Sequence, residues 1–489
     1  MSSSTRSTYG AGSPSATDRP LIVWFRQDLR LADHPALAHA AAHGRVIPVF
    51  VLDDSPQGPA RGGASRWWLH HSLARLHAAL KGLVLLRGDP SVVLPELAQR
   101  VSAQAVVWNR RYEPRSRADE QALGQALSRI GIAHESFRGN LLWEPGQIRT
   151  QDGEAFKVFT PFWRAALKVP VAECLAAPKL RLHELRGLGE SLGSWGLLPR
   201  SPDWAVHFGR HWHPGERGAW KRLQEFLAEK LLGYEELRNR PDLPGASRLS
   251  PHLHFGEISP RQIWAQLRAV MERDPDFRND GGKFLAEIGW REFSYQLLVQ
   301  FPQLPRNNWR PEFDRYPWVV NTAQLRAWQR GRTGYPLVDA GMRELWHTGY
   351  MHNRVRMVAA SFLVKHLRIH WRKGQAWFWD TLVDADLANN AASWQWVAGS
   401  GADAAPYFRI FNPVEQGRRF DPDGTYVRRW CPELSTLPDA YLHAPFSAPP
   451  RVLRAAGVAL GRTYPEPIVE HRAARAAALD GYQSMRNPS

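Results

Sequence analysis

The feature that most constrains the fold is a change of rhythm partway along the chain. Four short apolar runs recur near the start, at Leu21-Ile22-Val23-Trp24-Phe25 and then at residues 46–52, 83–86 and 105–108. Apolar runs without alternation suit strands covered on both faces, as in a parallel sheet. Stretches rich in Ala and Leu at residues 35–42 and 67–80 read as the helices between them. The pattern predicts a doubly wound α/β domain over residues 20–148. Its first strand is not followed by a Gly-x-Gly-x-x-Gly run, so the dinucleotide fingerprint is absent. Over residues 149–215 the β rhythm disappears, and Pro, Gly, Leu and charged residues mix as in an interdomain connector with short helices. Residues 216–476 are almost wholly helical in character, with segments at 220–231, 284–300 and 337–367. The expected fold class is thus α/β followed by all-α. A Ser/Thr/Gly-rich disordered tail is expected over residues 1–19, and a C-terminal tail over 477–489.

Composition narrows the function. A chain of 489 residues supports two cores of ordinary size without staples. Its two cysteines, Cys174 and Cys431, form no Cys-x-x-Cys or Cys/His cluster, which argues against structural zinc or an iron–sulfur centre and for a reducing, cytoplasmic setting. No stretch approaches the roughly 20 apolar residues of a membrane span, so a soluble protein is expected. The 63 Lys and Arg against 47 Asp and Glu give a formal charge of +16, which fits a polyanionic partner or a merely solvated basic surface. Tryptophan, at 22, outnumbers both phenylalanine and tyrosine, so its placement matters.

Four segments carry candidate chemistry. Tyr234 and the run Ala246-Ser247-Arg248-Leu249-Ser250 precede a helix and offer hydroxyl and N–H groups to a phosphate; alone, the serine reads as a helix cap. Glu287, Trp290 and Arg291 stand at i, i+3 and i+4, so a carboxylate, a ring and a cation share one helical face, which in isolation is equally a salt bridge beside a core indole. Asn353 and Met357 share another face, with Arg354 and Arg356 expected to point elsewhere, and the pair suits a planar polar heterocycle or plain packing. Asp384-Ala385-Asp386 leads into Asn389-Asn390 and Trp394-Gln395-Trp396; its paired acids lack further ligands at metal spacing, so no metal is expected.

Together, from Trp24-Phe25-Arg26-Gln27-Asp28-Leu29-Arg30 to Pro465-Glu466-Pro467-Ile468-Val469-Glu470-His471, these segments resemble the photolyase/cryptochrome family over nearly the whole chain. The resemblance implies an antenna domain followed by a helical catalytic domain that binds FAD. Tyr234, Ala246, Ser247, Arg248, Leu249 and Ser250 would hold its phosphates. Arg291, Arg356, Asp384, Ala385, Asp386 and Asn390 would frame its ring system, with Asn390 facing N5. Trp394, Trp371 and Trp318 match the family's electron-transfer chain, while Trp346, Trp377 and Trp379 are expected in the core.

Within the family, Asn353 and Met357 look like the pocket for cyclobutane pyrimidine dimers. Trp290 and Trp396 match its aromatic clamp, and Glu287 would hydrogen-bond the bases. Arg238, Arg291, Arg354, Arg409, Arg418 and Arg419 would form a basic rim for UV-damaged DNA, double- or single-stranded. The implied activity is light-driven dimer splitting by electron donation from excited reduced FAD, in a monomer. The rival is a blue-light photoreceptor on the same fold, disfavoured by Asn353, Met357 and Asn390 and by the short run after His471. For the antenna chromophore, Asn109-Arg110-Arg111-Tyr112-Glu113 is consistent with a folate loop contacting through Asn109 and Glu113. This favours methenyltetrahydrofolate, with deazaflavin and flavin as alternatives, and His34 departs from the more usual Asn after Asp33.

Overall fold

A computed structural model describes residues 19–53, 60–183, 187–404 and 408–487; the tail expected over residues 1–19 lies outside them but for Arg19. Five parallel strands, β1 (Leu21–Phe25), β2 (Val46–Leu52), β3 (Val84–Arg87), β4 (Ala105–Asn109) and β5 (Ala133–Phe137), form one sheet in the order β3-β2-β1-β4-β5. Every residue of β1 and β2 is buried, because α1 (Pro35–His43) and α2 (Gly63–Leu80) cover one face and α3 (Pro90–Arg100) and α4 (Pro114–Arg129) the other. The fifth strand escaped the sequence reading. Its residues Ala133, His134 and Glu135 are exposed at the sheet edge, so no apolar run marks it.

The connector is more structured than its composition suggests. It forms α5 (Phe159–Ala166), and Leu182 returns to make a parallel bridge with Val46 at the start of β2. The helices that build the site follow: α6 (Ser250–His254), α7 (Arg278–Gln300), α8 (Pro336–Thr348), α9 (Asn353–Ser361), α10 (Trp371–Thr381) and α11 (Leu387–Ala398). The expected continuous segment over residues 337–367 is broken. Gly349, at φ +68°, ends α8, and His352 caps α9 by accepting from Arg354 N–H. A glycine adopts this left-handed turn at no steric cost. Nor is the C-terminus a tail: α12 (His471–Arg486), capped by Glu470, packs Met485 against Phe313 and Tyr316. No helix among the described residues is long and apolar enough to cross a membrane.

The domains meet through buried polar bonds. Asp33 accepts from Ser259 Oγ at 2.5 Å and pairs with Arg261 at 2.8 Å, while Glu257 accepts from Trp68 Nε1 at 3.0 Å. Gly256, at φ +63°, brings the chain against Gln27, where a Cβ would lie 2.1 Å from a carbonyl oxygen. A side chain there would force the domains apart.

Candidate active site

A cavity of about 500 Å³ opens in the helical domain, a volume in the range of cofactor sites. Its inner wall begins with Tyr234 and the loop Ala246-Ser247-Arg248-Leu249-Ser250, all of which line it. Arg248 sits at φ +55°, which turns the loop tightly before α6. Ser250 is not the helix cap that an isolated reading suggests; its hydroxyl is donated to Asp384 Oδ2 at 2.6 Å. Arg356 donates to the same oxygen at 2.9 Å and to the Met351 carbonyl at 2.7 Å. The other Asp384 oxygen, Oδ1, is buried with no partner, an acceptor that a ligand donor would satisfy.

Asp386 caps α11, accepting from Asn389 N–H at 2.9 Å and Nδ2 at 2.7 Å, while Tyr295 donates its hydroxyl at 2.5 Å. His254 stands 3.7 Å away. Burial works to raise this carboxyl, but His254, Arg291 and Tyr295 outweigh it and hold Asp386 well below the usual carboxylate range. The inner wall therefore presents a fixed anion beside a cation already paired. Between the two acids, Ala385 is packed into the core and does not line the cavity.

The rim comes from α7, α9 and α11. Glu287, Trp290 and Arg291 all line the cavity from one face of α7, as their spacing predicts. Glu287 is ion-paired with Arg238 across the opening. Trp290 stacks flat on Phe159, and Arg291 donates to the Asn140 carbonyl at 2.9 Å, tying the rim to the α/β domain. On α9, Arg356 joins Asn353 and Met357 in the cavity instead of pointing elsewhere, because residues 353, 356 and 357 follow the i, i+3, i+4 rule. His352 lines it as well; burial, reinforced by Arg354 and Arg356, pushes its pKa down to about 3, so the ring is neutral. Arg354 lies behind, donating to Asn239 at 2.5 Å and resting over Phe420 at 4.4 Å. Burial lowers its pKa, and so does the proximity of Arg238, Arg419 and Arg409, which marks a convergent cationic patch. Arg418 does not belong to that patch: it pairs with Glu415 and lines a separate groove with Tyr335 and His471.

On α11, Asn389, Ala392, Ser393 and Trp396 line the cavity at i, i+3, i+4 and i+7. Asn390, expected at the flavin, is not among the lining residues; its amide is donated to the Gln375 carbonyl of α10 at 3.2 Å. Asn389 and Asn390 stand at i+3 and i+4 from the Asp386 cap, so spacing alone does not separate them. Trp394 is buried against Phe378 and over Gly374, where a Cβ would fall 2.1 Å from its ring. Trp371, one turn before Gly374 on α10, is fully buried and donates to Asn308 at 2.8 Å. Its ring is 5.5 Å from His370, which is 4.8 Å from half-buried Trp318. Trp346, expected in the core, is 45% exposed and stacks on Trp377 at 5.9 Å and Trp204 at 5.3 Å. Trp377 and Trp379 are partly buried.

The expected antenna contacts are committed elsewhere. The Asn109 amide is fully buried, donating to Asp28 Oδ2 at 2.9 Å and accepting from Ala36 N–H at 3.2 Å. Glu113 is buried in an ion pair with Arg111. Both side chains thus have partners inside the domain. His34, the departure from the family pattern, caps α1 by accepting from Leu37 N–H at 3.0 Å and lies 3.1 Å from Asp28. Its role is internal to the sheet edge.

A parallel α/β domain joined to a helical domain, whose cavity has an Asp–Arg inner wall and an aromatic, cationic rim, defines a nucleotide-cofactor protein suited to a polyanionic partner. Residues 21–179 match the family described as DNA photolyase, and residues 284–484 match the FAD binding domain of DNA photolyase. A deoxyribodipyrimidine photo-lyase of Agrobacterium fabrum is 51% identical over 474 residues, covering 96% of this chain and 98% of that protein. Cryptochrome-2 of Arabidopsis thaliana is 37% identical over 476 residues, covering 94% of this chain and 78% of that protein. The crystal structure of a bacterial class III photolyase from Agrobacterium tumefaciens superposes with a TM-score of 0.93 at 50% identity, covering 98% of this chain and all of that one. The chain belongs to the photolyase/cryptochrome family.

Proposed function

We propose that this chain is a light-dependent deoxyribodipyrimidine photolyase that splits cyclobutane pyrimidine dimers in double- or single-stranded DNA. The observation that carries the reading is the joining, on one cavity, of the Asp384–Arg356 wall with a rim of Glu287, Trp290, Asn353, Met357 and Trp396. FAD fits the inner wall: Tyr234, Ser247, Arg248 and Ser250 suit its phosphates, Arg356 and Asp386 suit its polar ring edge, and the unpaired Asp384 Oδ1 awaits a donor. When bound in reduced form and excited by light, FAD supplies the electron that opens the cyclobutane ring and takes it back afterwards.

The chain's own residues do the rest. Trp290 and Trp396 stack on an extruded dimer and replace the stacking it loses on leaving the helix. The Asn353 amide reads the polar base edge, and Met357 packs on the ring. Glu287 exchanges Arg238 for the N–H edge of the dimer's bases, and Arg238 turns to a phosphate. Trp394, Trp371 and Trp318 relay electrons from the surface when the flavin has to be reduced. Arg354, Arg409 and Arg419 hold the backbone without reading sequence. A second chromophore, methenyltetrahydrofolate ahead of deazaflavin or flavin, gathers light through contacts other than Asn109 and Glu113. The protein acts as a cytoplasmic monomer; exposed Cys174 and buried Cys431, both free thiols, are compatible with a reducing compartment.

Two variants separate repair from signalling. Glu287→Ala should retain flavin and its photoreduction yet lower the yield of repaired thymines per photon, because the N–H edge of the dimer's bases loses the acceptor that holds it in register with the flavin. Trp290→Ala should instead weaken dimer binding, since stacking precedes light. A photoreceptor without repair chemistry would show no lesion-specific change in either variant.

A further inference from the structure

Helix α5 of the connector packs directly behind the rim of the cavity. Phe159, the first residue of α5, lies flat on Trp290 with ring centroids 3.7 Å apart and planes 10° from parallel. Trp163 continues the stack, 6.2 Å and 11° from Phe159. This approach requires Gly289, the residue before Trp290, because a Cβ there would come within 2.5 Å of the Trp163 ring. The chain leading into α5 is stapled along α7: Gln296 donates to the Ile148 carbonyl at 2.9 Å and Gln300 to the Phe156 carbonyl at 3.4 Å. On the cavity side, Phe159 N–H donates to Asp403 Oδ2 at 3.3 Å, and Asp403 itself lines the cavity. Phe293 meets Trp290 edge-on at 6.0 Å and does not cover its face.

From this seating we infer that Phe159 is a positioning residue for lesion recognition: it covers one face of Trp290, fixes the plane of the indole, and leaves the other face for the extruded base, with Gly289 and Asp403 holding α5 in place. The inference rests on the reading of Trp290 as a stacking platform for the dimer. An indole already ordered by a permanent aromatic neighbour loses less rotamer freedom when a base arrives, so the stack is worth more in binding. The connector thereby backs one wall of the lesion pocket.

The test uses the flavin-loaded full chain and two matched duplexes, one with a cyclobutane thymine dimer and one undamaged. Phe159→Ala should weaken binding of the dimer duplex roughly tenfold, within the range of one base–aromatic contact. Binding of the undamaged duplex, set by the arginines, should stay at the wild-type level, as should flavin content. Phe159→Tyr, which keeps the ring, should restore the preference. Gly289→Ala should reproduce the selective loss by pushing Trp163 and α5 away. If Phe159→Ala sheds flavin, Phe159→Leu, which keeps the buried volume without the flat ring, decides the case by the same comparison. A wild-type preference left intact by Phe159→Ala or Phe159→Leu overturns this inference alone, as does an equal loss on both duplexes. Absence of any dimer preference in the wild type overturns the repair reading and this inference with it.

Discussion

The two walls of the cavity are built on opposite principles. On the inner wall the charges are already spent on one another: the Asp384 side chain is 3% exposed and held by Arg356 and Ser250, and Asp386 is held by Tyr295 and the start of α11. Removing one partner of such a buried pair costs about 3–5 kcal/mol, because it strands the other charge. On the rim, the Glu287 side chain is 30% exposed and its pair with Arg238 faces the opening. A carboxylate that reaches the opening is screened more than one enclosed like Asp384, so a ligand displaces its partner at less cost. The difference teaches that the inner wall is set for a resident cofactor, while the rim is set to exchange partners with a substrate that comes and goes.

The comparison breaks most visibly if the inner wall is dispensable. Asp384→Ala combined with Asp386→Ala should lose most bound FAD, read as the ratio of flavin to protein absorbance; full stoichiometry in the double variant would contradict the assignment. Next in size is the effect at the seam behind the wall. Trp394→Phe should block photoreduction of oxidised FAD while leaving repair by pre-reduced enzyme largely intact, and a wild-type rate of photoreduction would point to another tryptophan as the donor.

The rim should respond to salt where the inner wall does not. Affinity for DNA should fall with a log–log slope set by the number of phosphate contacts, and Arg354→Ala should lower that slope by about 0.9 on duplex DNA. The smallest effect concerns the tie between rim and α/β domain. Burial pushes the Glu292 pKa up to about 7 from 4.5, against the opposing pull of Arg291 and the N–H groups of Trp143 and Leu142. The folded chain thus keeps a proton that the unfolded chain releases between those values, so stability falls as pH rises through that window. Glu292→Gln should flatten this slope in thermal melts between pH 4.5 and 7, and an unchanged slope would place the titration elsewhere.

What could be read in the sequence follows the physics of each signal. The first four strands were legible to within a residue because burial on both faces leaves an unbroken apolar run, whereas β5 hides because its outer edge is polar. The rim residues Glu287, Trp290 and Arg291 were legible because helical spacing alone puts them on one face. The same rule applied to α9 recovers Arg356, whereas from the Asp386 cap it admits both Asn389 (i+3) and Asn390 (i+4) and does not separate them. The bond by which Asn109 joins β4 to the β1 loop was not legible, because its partner Asp28 lies 81 residues away in sequence. Phe159 could not be found at all: it lies 131 residues from Trp290, in a stretch without periodicity, and only the folded chain brings the two rings together.

The most direct measurement is the light-dependent return of thymines from a DNA oligonucleotide carrying one cyclobutane dimer, with the purified protein fully reduced and illuminated in the blue or near ultraviolet. A lesion pocket built on this rim predicts restoration of intact thymines in the light and none in the dark, with many dimers split per protein. Stable flavin binding and photoreduction without any dimer splitting under those conditions would contradict it and leave the fold to a photoreceptor.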